Sequence, residues 1–430
     1  MFPLHDRTRR LVCRTAFIAL CVLPALGVLA ESSMLGTGSR RRACEAELSQ
    51  AAGLRVTLDG LSYPRPGITL YDGVMLTDPE TGARLARCRF LEAGGGDELT
   101  ALVVSQPELD AQRLGDLWQL VRQRLREADG TRRLWRLSAA EATLHWPTGS
   151  QTLAECLAQL DQPDSADQPR IAALSFRLAG SNAGEPIRIR IARQSKDGQP
   201  TSTIEFHTGE AALPVELITA ALGTTNHLGS RATFHGSVWI TESADGLDGE
   251  LSGQLTDVDL QSLVTEQFPH RLSGLAAITI QRARFHRGRV EEAAGSITAG
   301  PGVVSRSLVD AAVTHLHLVR GSAADPSGTL APYEQLGLAF VIDSSGLTLR
   351  GQCDAATGAI LQTHEGVLLS EAAGPSGPVV ALLRTLVPQS EVQVPATREA
   401  DWLGSWLPLP QVMPPPDQPP QGRLRLGPRP

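Results

Sequence analysis

Ile187-Arg188-Ile189-Arg190-Ile191 is the stretch that decides the fold class. Isoleucine and arginine alternate strictly, so a strand would send every aliphatic side chain to one face and every guanidinium to the other. That pattern describes a sheet with one dry and one wet face. The same period extends outward through Leu134 to Trp146, Ala232 to Ile240, Leu275 to Phe285, Gly337 to Ile342 and Leu347 to Arg350. Near the N-terminus, Leu54, Val56 and Leu58 alternate with Arg55, Thr57 and Asp59. Turn clusters such as Tyr63-Pro64-Arg65-Pro66-Gly67 and Thr77-Asp78-Pro79-Glu80-Thr81-Gly82 punctuate the apolar runs. We expect a mainly β chain, an elongated, curled antiparallel sheet of roughly 16 to 20 strands.

A few segments follow helical spacing instead. Residues Arg40 to Ala52 are helix formers throughout, with Gly53 placed as the C-cap. Between Leu109 and Glu127, Leu114, Leu117, Trp118, Leu120, Val121 and Leu125 recur at helical intervals among arginines. This predicts one amphipathic helix of about four turns that packs on the sheet. A second helix is expected over Leu213 to Leu222, introduced by Pro214.

The N-terminus carries an address. Thr15 to Ala30 is almost wholly apolar, preceded by Arg7, Arg9, Arg10 and Arg14 and followed by Glu31-Ser32-Ser33. With Leu11 and Val12 included it approaches the roughly 20 residues needed to span a bilayer. We expect an N-terminal transmembrane helix over 11–30, with the basic flank 1–10 in the cytoplasm and the bulk of the chain outside the inner membrane. Val28-Leu29-Ala30 also satisfies the small-residue rule of a signal-peptide cleavage site, so a removed signal is the rival. Leu20 precedes Cys21, where a lipobox needs a small residue.

Composition narrows the chemistry. A net charge of −7 over 430 residues gives no basic face for nucleic acid, and we expect no nucleic-acid partner. Aromatic content of 4% argues against a stacking platform for sugars or bases. Lys196 is the only lysine and sits in the polar turn Gln194-Ser195-Lys196-Asp197-Gly198, a poor place for an activated amine. Cysteines 13, 21, 44, 88, 156 and 353 show none of the paired spacings of zinc or redox sites.

No phosphate-binding loop, nucleophile elbow, dinucleotide fingerprint or His-Glu-x-x-His pair is present. Two weaker pairs remain. His315-Leu316-His317 would place two imidazoles on one strand face, where they could share a metal if a third ligand converged. Asp257-Val258-Asp259 would likewise align two carboxylates, although the preferred reading is that Asp257 or Asp259 caps a short helix. Neither pair recruits the further groups a site requires, so no catalytic residue, cofactor-binding residue or metal ligand is assigned, and no enzymatic activity or cofactor is expected.

Taken in order, these features resemble the AsmA-like family of bacterial envelope proteins, looser relatives of the longer TamB- and YhdP-type proteins. The resemblance covers roughly residues 11 to 390. It runs from the basic-flanked segment through Gly53-Leu54-Arg55-Val56, Pro66-Gly67-Ile68-Thr69-Leu70, Gly73-Val74-Met75-Leu76-Thr77-Asp78-Pro79 and Gly82-Ala83-Arg84-Leu85-Ala86. It continues through Leu247-Asp248-Gly249-Glu250-Leu251-Ser252-Gly253, Val258-Asp259-Leu260-Gln261-Ser262-Leu263-Val264 and Leu272-Ser273-Gly274-Leu275-Ala276. The single lysine, the proline-rich tail and the shorter length depart from the bridge-forming members.

The resemblance implies an open groove, apolar inside, that holds acyl chains. Its implied work is lipid handling or transport, or outer-membrane biogenesis. The partners expected are the membrane, a phospholipid or other acyl-chain ligand, and envelope proteins. A self-packed β-core serving as a structural or protein-interaction component is the alternative. At about 4.8 Å per strand, 16 to 20 strands give a groove of roughly 75 to 95 Å. The expected organisation is a basic flank (1–10), an anchor or signal segment (11–30), an N-terminal β module with helices (31–130), a β-rich groove region (131–395) and a disordered tail (396–430). Nine prolines in the last 25 residues forbid regular structure in that tail.

Overall fold

The computed structural model describes residues 14–26, 38–95, 99–126, 133–163, 168–181, 184–196, 199–244, 246–323, 328–372, 374 and 377–387. The expected tail, 396–430, and both ends of the expected membrane segment lie outside them. Residues 14–26 form helix α1, with a π-helical centre at Ile18–Val22. At about 1.5 Å per residue it is about 20 Å long. No helix among the described residues is long and apolar enough to cross a membrane.

Helix α2 (Gly38–Ala52) follows and ends on Gly53, whose φ of 69° suits the left-handed C-cap. The N-terminal strands are β1 (Arg55–Thr57), β2 (Gly60–Arg65), β3 (Ile68–Thr77), β4 (Arg84–Gly95), β5 (Leu99–Ser105) and β6 (Glu108–Asp110). Helix α3 (Leu114–Arg126) then leads into β7 (Arg133–Trp146), β8 (Gly149–Gln162), β9 (Arg170–Leu178), β10 (Ile187–Lys196) and β11 (Gln199–His207). Next come β12 (Leu213–Pro214), helix α4 (Val215–Leu222), β13 (Thr233–Ser243), β14 (Gly246–Asp259), β15 (Leu275–His286) and β16 (Arg289–Ala299). The chain closes with β17 (Gly302–Ser305), α5 (Arg306–His315), β18 (Val319–Arg320), β19 (Leu330–Tyr333), β20 (Gln335–Asp343), β21 (Gly346–Gly351), β22 (Ala359–Thr363), β23 (Gly366–Ser370) and α6 (Val380–Leu386).

Of these strands, 21 belong to one curled sheet, and β17 pairs with β19 in a second of two strands. Hydrogen bonding runs from β3 through β4, the shared position of β5 and β6, and then β7 to β11 in order. It continues through β13 to β16, β20, β22 and β23. No described pairing joins the two ends, so among the described residues the ribbon is not closed into a barrel.

The expectation of a purely antiparallel sheet is corrected at one place: β5 and β6 both pair parallel with β7. Gln106, at a φ of 50°, and Pro107 break the strand between β5 and β6. The chain then crosses over as α3, and parallel neighbours need such a crossover because a hairpin cannot join them. The helix expected from Leu109 therefore starts five residues later, after β6 and a 3-10 turn at Ala111–Arg113.

The ribbon has two unlike edges. Most helical and long connections leave from one, called upper here, where β6 ends and β13 begins; two-residue turns join β10 to β11, β13 to β14 and β15 to β16 at the lower edge. The turn at Arg287 and Gly288, with φ of 51° and 76°, joins β15 to β16 in the mirror-image geometry that matches strand twist. Two buried clusters lie toward the upper edge. One gathers Val56, Leu58, Val74, Cys88, Leu144, Phe176, Ile187 and Leu217; the other gathers Val215, Phe234, Val258, Ala276, Ala299, Val304 and Leu336. They meet at α4, which gives Val215 to one and Leu217 to the other.

Both ends of the ribbon are partly capped. Glu45 Oε1 and Ser49 Oγ of α2 accept the Leu58 and Val56 amides at 3.0 and 2.9 Å, so β1 offers those donors to no further strand. At the opposite end, β18 and the amides of Gly321 and Ala323 bond to β23.

Candidate functional site

Register identifies the face that could hold a ligand. Directly opposed partners connect Ala93, Leu102, Leu137, Ala158, Leu174, Ile189, Phe206, Val238, Leu251, Ala283, Ala293, Ile342 and Leu347 in one row from β4 to β21. Every member is apolar, and only Ala283 and Leu347 are buried. Twelve steps of about 4.8 Å make the row roughly 58 Å long. One step lower, a second unbroken row joins Trp135, Leu160, Ala172, Ile191, Ile204, Ile240, Gly249, Phe285 and Val290.

Glycines allow this inner face to curl. Gly236 and Gly253 oppose each other, and a Cβ on either would come within 2.9 Å of the Phe234 ring. A Cβ on Gly295 would come within 2.8 Å of Phe340. Each ring thus lies across bare backbone, and a side chain at the glycine would force it away. Bulges at Glu155 and Asp257, with φ of 51° and 54°, bend β8 and β14 further.

The opposite face is charged. Glu250 meets Arg282 at 3.3 Å and Arg284 at 3.8 Å, Arg284 meets Glu292 at 3.7 Å, and Arg190 meets Glu205 at 3.0 Å. An open depression of about 320 Å³ also lies there, lined by His207, His235, Ser237, Ser252 and Gln254. His235 Nε2 is 2.8 Å from the Gly209 carbonyl, and His207 Nδ1 accepts the Gly209 amide at 2.8 Å. Both imidazoles are thereby engaged by backbone.

Helix α3 lies across the inner face over β10, β11 and β13. Trp118 and Leu125 approach Ile191 and Ile204, leaving a crevice of about 10 Å³, room for little more than a water. Arg122 donates to Glu242, and Arg170 Nη1 donates to the Leu125 carbonyl at 2.9 Å, which ties down the helix end. Arg193 Nη1 donates to Ser202 Oγ at 3.0 Å.

The pairs singled out in the sequence do not converge. His315 is the last residue of α5 and His317 lies beyond it at a φ of 56°, so the two share no strand face. Asp257 occupies a bulge, while Asp259 Oδ1 accepts the Gln261 amide at 2.9 Å and caps the π turn Gln261–Thr265. Among the described residues no three His, Cys, Asp or Glu side chains are grouped to hold a metal. Cys21, Cys44, Cys88, Cys156 and Cys353 are unpaired thiols. Burial pushes the Cys88 and Cys156 thiols up to about 11, which keeps them protonated at neutral pH. Sequence reading missed the group Arg122, Arg193, Ser202 and Glu242, which lines the crevice and comes together only through strand register and the placement of α3. No protein family, curated protein or solved structure matches the chain.

Proposed function

We propose that this protein is an AsmA-like envelope protein, anchored in the inner membrane, whose curled sheet takes acyl chains along its apolar face. The observation that carries this reading is the unbroken apolar row from Ala93 to Leu347, eleven of whose thirteen members keep some exposure while the reverse face carries an ion-pair ladder. An ordinary self-packed sheet would cover that row. The work is binding and passage of lipid in envelope biogenesis, without bond chemistry and without a cofactor.

Helix α1 supports the anchor. Phe17, Ile18, Leu20, Leu23 and Leu26 are all more than half exposed, and a helix apolar on every side needs an apolar surrounding. A bilayer supplies it, with the bulk of the chain in the periplasm. The closely packed α3 crevice favours the second reading, a self-packed structural or protein-docking component.

Lipid extraction and native mass spectrometry of the protein, released from membranes without detergent, distinguish the two. Phospholipid recovered in stoichiometric amount is expected; a protein that emerges lipid-free and captures only protein partners on cross-linking in cells overturns the proposal.

A further inference from the structure

One aromatic ring stands where packing does not account for it. Trp239 of β13 is 45% exposed on the charged reverse face, whereas the other described tryptophans, Trp118, Trp135 and Trp146, are half-buried. Register puts a carboxylate on each side of it: Glu205 of β11 and Glu250 of β14 are its directly opposed partners. Each carboxylate already meets arginine, Glu205 with Arg190 and Glu250 with Arg282 and Arg284, so the charge beside the ring is largely cancelled. Their remaining lone pairs still accept hydrogen bonds. One pleat higher on the same face, Ser237 is flanked by His207 and Ser252, and with Gln254 and Thr279 these line the open depression of about 320 Å³. The Ser237 and Ser252 hydroxyls bond each other at 3.0 Å, and each keeps further hydrogen-bonding capacity.

We infer that this patch binds a neutral, gluco-configured oligosaccharide, with one pyranose ring stacked on Trp239 and its neighbour toward the depression. Equatorial hydroxyls leave both faces of such a ring lined with C–H, which suits the electron-rich face of an indole. The same hydroxyls radiate in the plane of the ring, where two strand spacings of about 4.8 Å set the Glu205 and Glu250 backbones roughly 10 Å apart with Trp239 between them. An apolar ligand would strip water from hydroxyls, imidazoles and amides without replacing it, and an anion would meet two carboxylates. A hydroxyl-rich ligand without net charge meets neither objection. A protein interface would deplete charge around a central tryptophan, and here both cross-strand neighbours are glutamates. Six tryptophans in 430 residues make no extended stacking platform, yet one placed ring is enough for a short saccharide. The patch lies across the sheet from the acyl-chain rows, so the two readings stand or fall separately.

The test is calorimetric titration of the full-length protein, held in a polyoxyethylene detergent that carries no sugar, with cellohexaose, chitohexaose and a hyaluronan hexasaccharide. At least one of the two neutral sugars is expected to bind with a Kd of about 1 mM or tighter, and anionic hyaluronan, whose rings are also gluco-configured, about tenfold more weakly. Trp239→Ala should weaken the neutral sugar about tenfold, the scale of one lost stack. Glu205→Gln, expected to weaken it about threefold, keeps the test decisive should the tryptophan variant fail to fold. Absence of binding by both neutral sugars overturns the inference. So does binding that Trp239→Ala leaves unchanged, and so does hyaluronan bound as tightly as the neutral sugars. A cellular protein cross-link that is lost in Trp239→Ala while no sugar binds marks a protein-docking ring, and also overturns it.

Discussion

The same strands behave differently at their two edges. Near the upper edge Phe234, Val258, Ala276, Ala299 and Leu336 are all less than 9% exposed, sealed by α4, the π turn Gln261–Thr265 and the β17/β19 pair. Farther down, Ile240, Phe285 and Ile342 point to the same side of the same strands and are only half-buried. Composition is nearly identical at the two levels, so apolar residues alone do not decide which part is core. What decides it is where the connections are long enough to fold back. This protein concentrates its buried core at one edge and leaves apolar surface half-covered toward the other.

The comparison breaks most directly on phenylalanine. Phe234→Ala removes a buried ring that covers Gly236 and Gly253, and should cost about 3–5 kcal/mol in urea-unfolding free energy. Phe285→Ala, on the same face but partly exposed, should cost only about 1 kcal/mol. Equal losses would mean that the lower rows are core in solution and that no trough exists.

Helix α3 gives the next largest effect. Leu125 is 1% exposed beneath it, and Leu125→Ala should cost about 2–4 kcal/mol while raising hydrogen exchange over Leu114–Arg126 ahead of the upper-edge strands. Exchange that rises evenly through the sheet would show that α3 is part of the core. Leu174→Asp sharpens the contrast from the other side. Leu174 is 37% exposed, so a charge there can stay hydrated and global stability should fall by only about 1 kcal/mol, while on the acyl-chain proposal retained lipid drops several-fold in native mass spectra.

How much of this was legible beforehand follows the range of the forces involved. Periodicity is local, so Ile187 to Ile191, the helix ending at Gly53 and the helix introduced by Pro214 read correctly from neighbours alone. The single parallel step was hidden because Leu109 fits both the end of β6 and the apolar stripe of α3. His315 and His317 look like alternate strand residues, but Ser305 Oγ accepts the Leu308 amide at 3.4 Å and starts a helix that carries His315 away. The polar end of the α3 crevice was illegible for a different reason: Arg193, Ser202 and Glu242 become neighbours only once β10, β11 and β13 are in register, and no short window of sequence contains all three.

His270 tests the packed edge by pH. It is 2% exposed, and Nε2 lies 2.9 Å from the Thr385 carbonyl while Nδ1 lies 3.0 Å from Ser307 Oγ. The carbonyl only accepts, so Nε2 carries the proton and Nδ1 accepts from the serine. This neutral ring joins α6 to the start of α5. Burial holds its pKa below the ordinary histidine value of 6.5. The unfolded chain therefore binds more protons than the folded one as pH falls below 6.5, and stability present above that value is lost toward and through the lowered pKa. His270→Gln should flatten this acid-side slope in urea-unfolding curves; an unchanged slope would place the pH sensitivity elsewhere.

The smallest effect belongs to the charged reverse face, and its smallness carries information. Glu250 stands between Arg282 and Arg284 with its side chain 44% exposed, so solvent screens both contacts. Glu250→Gln should cost only about 0.2–1 kcal/mol, a difference that shrinks further in high salt. The ladder's stronger influence is on which face stays wet. A one-residue slip of β14 against β15 would turn Glu250 toward the apolar rows and away from Arg282 and Arg284, and burying unpaired charge costs far more than the ladder contributes. Polar residues that add little stability thereby hold the register that keeps the Ala93 to Leu347 row continuous. A Glu250→Gln loss well above 1 kcal/mol that salt does not reduce would show instead that this face is covered in solution.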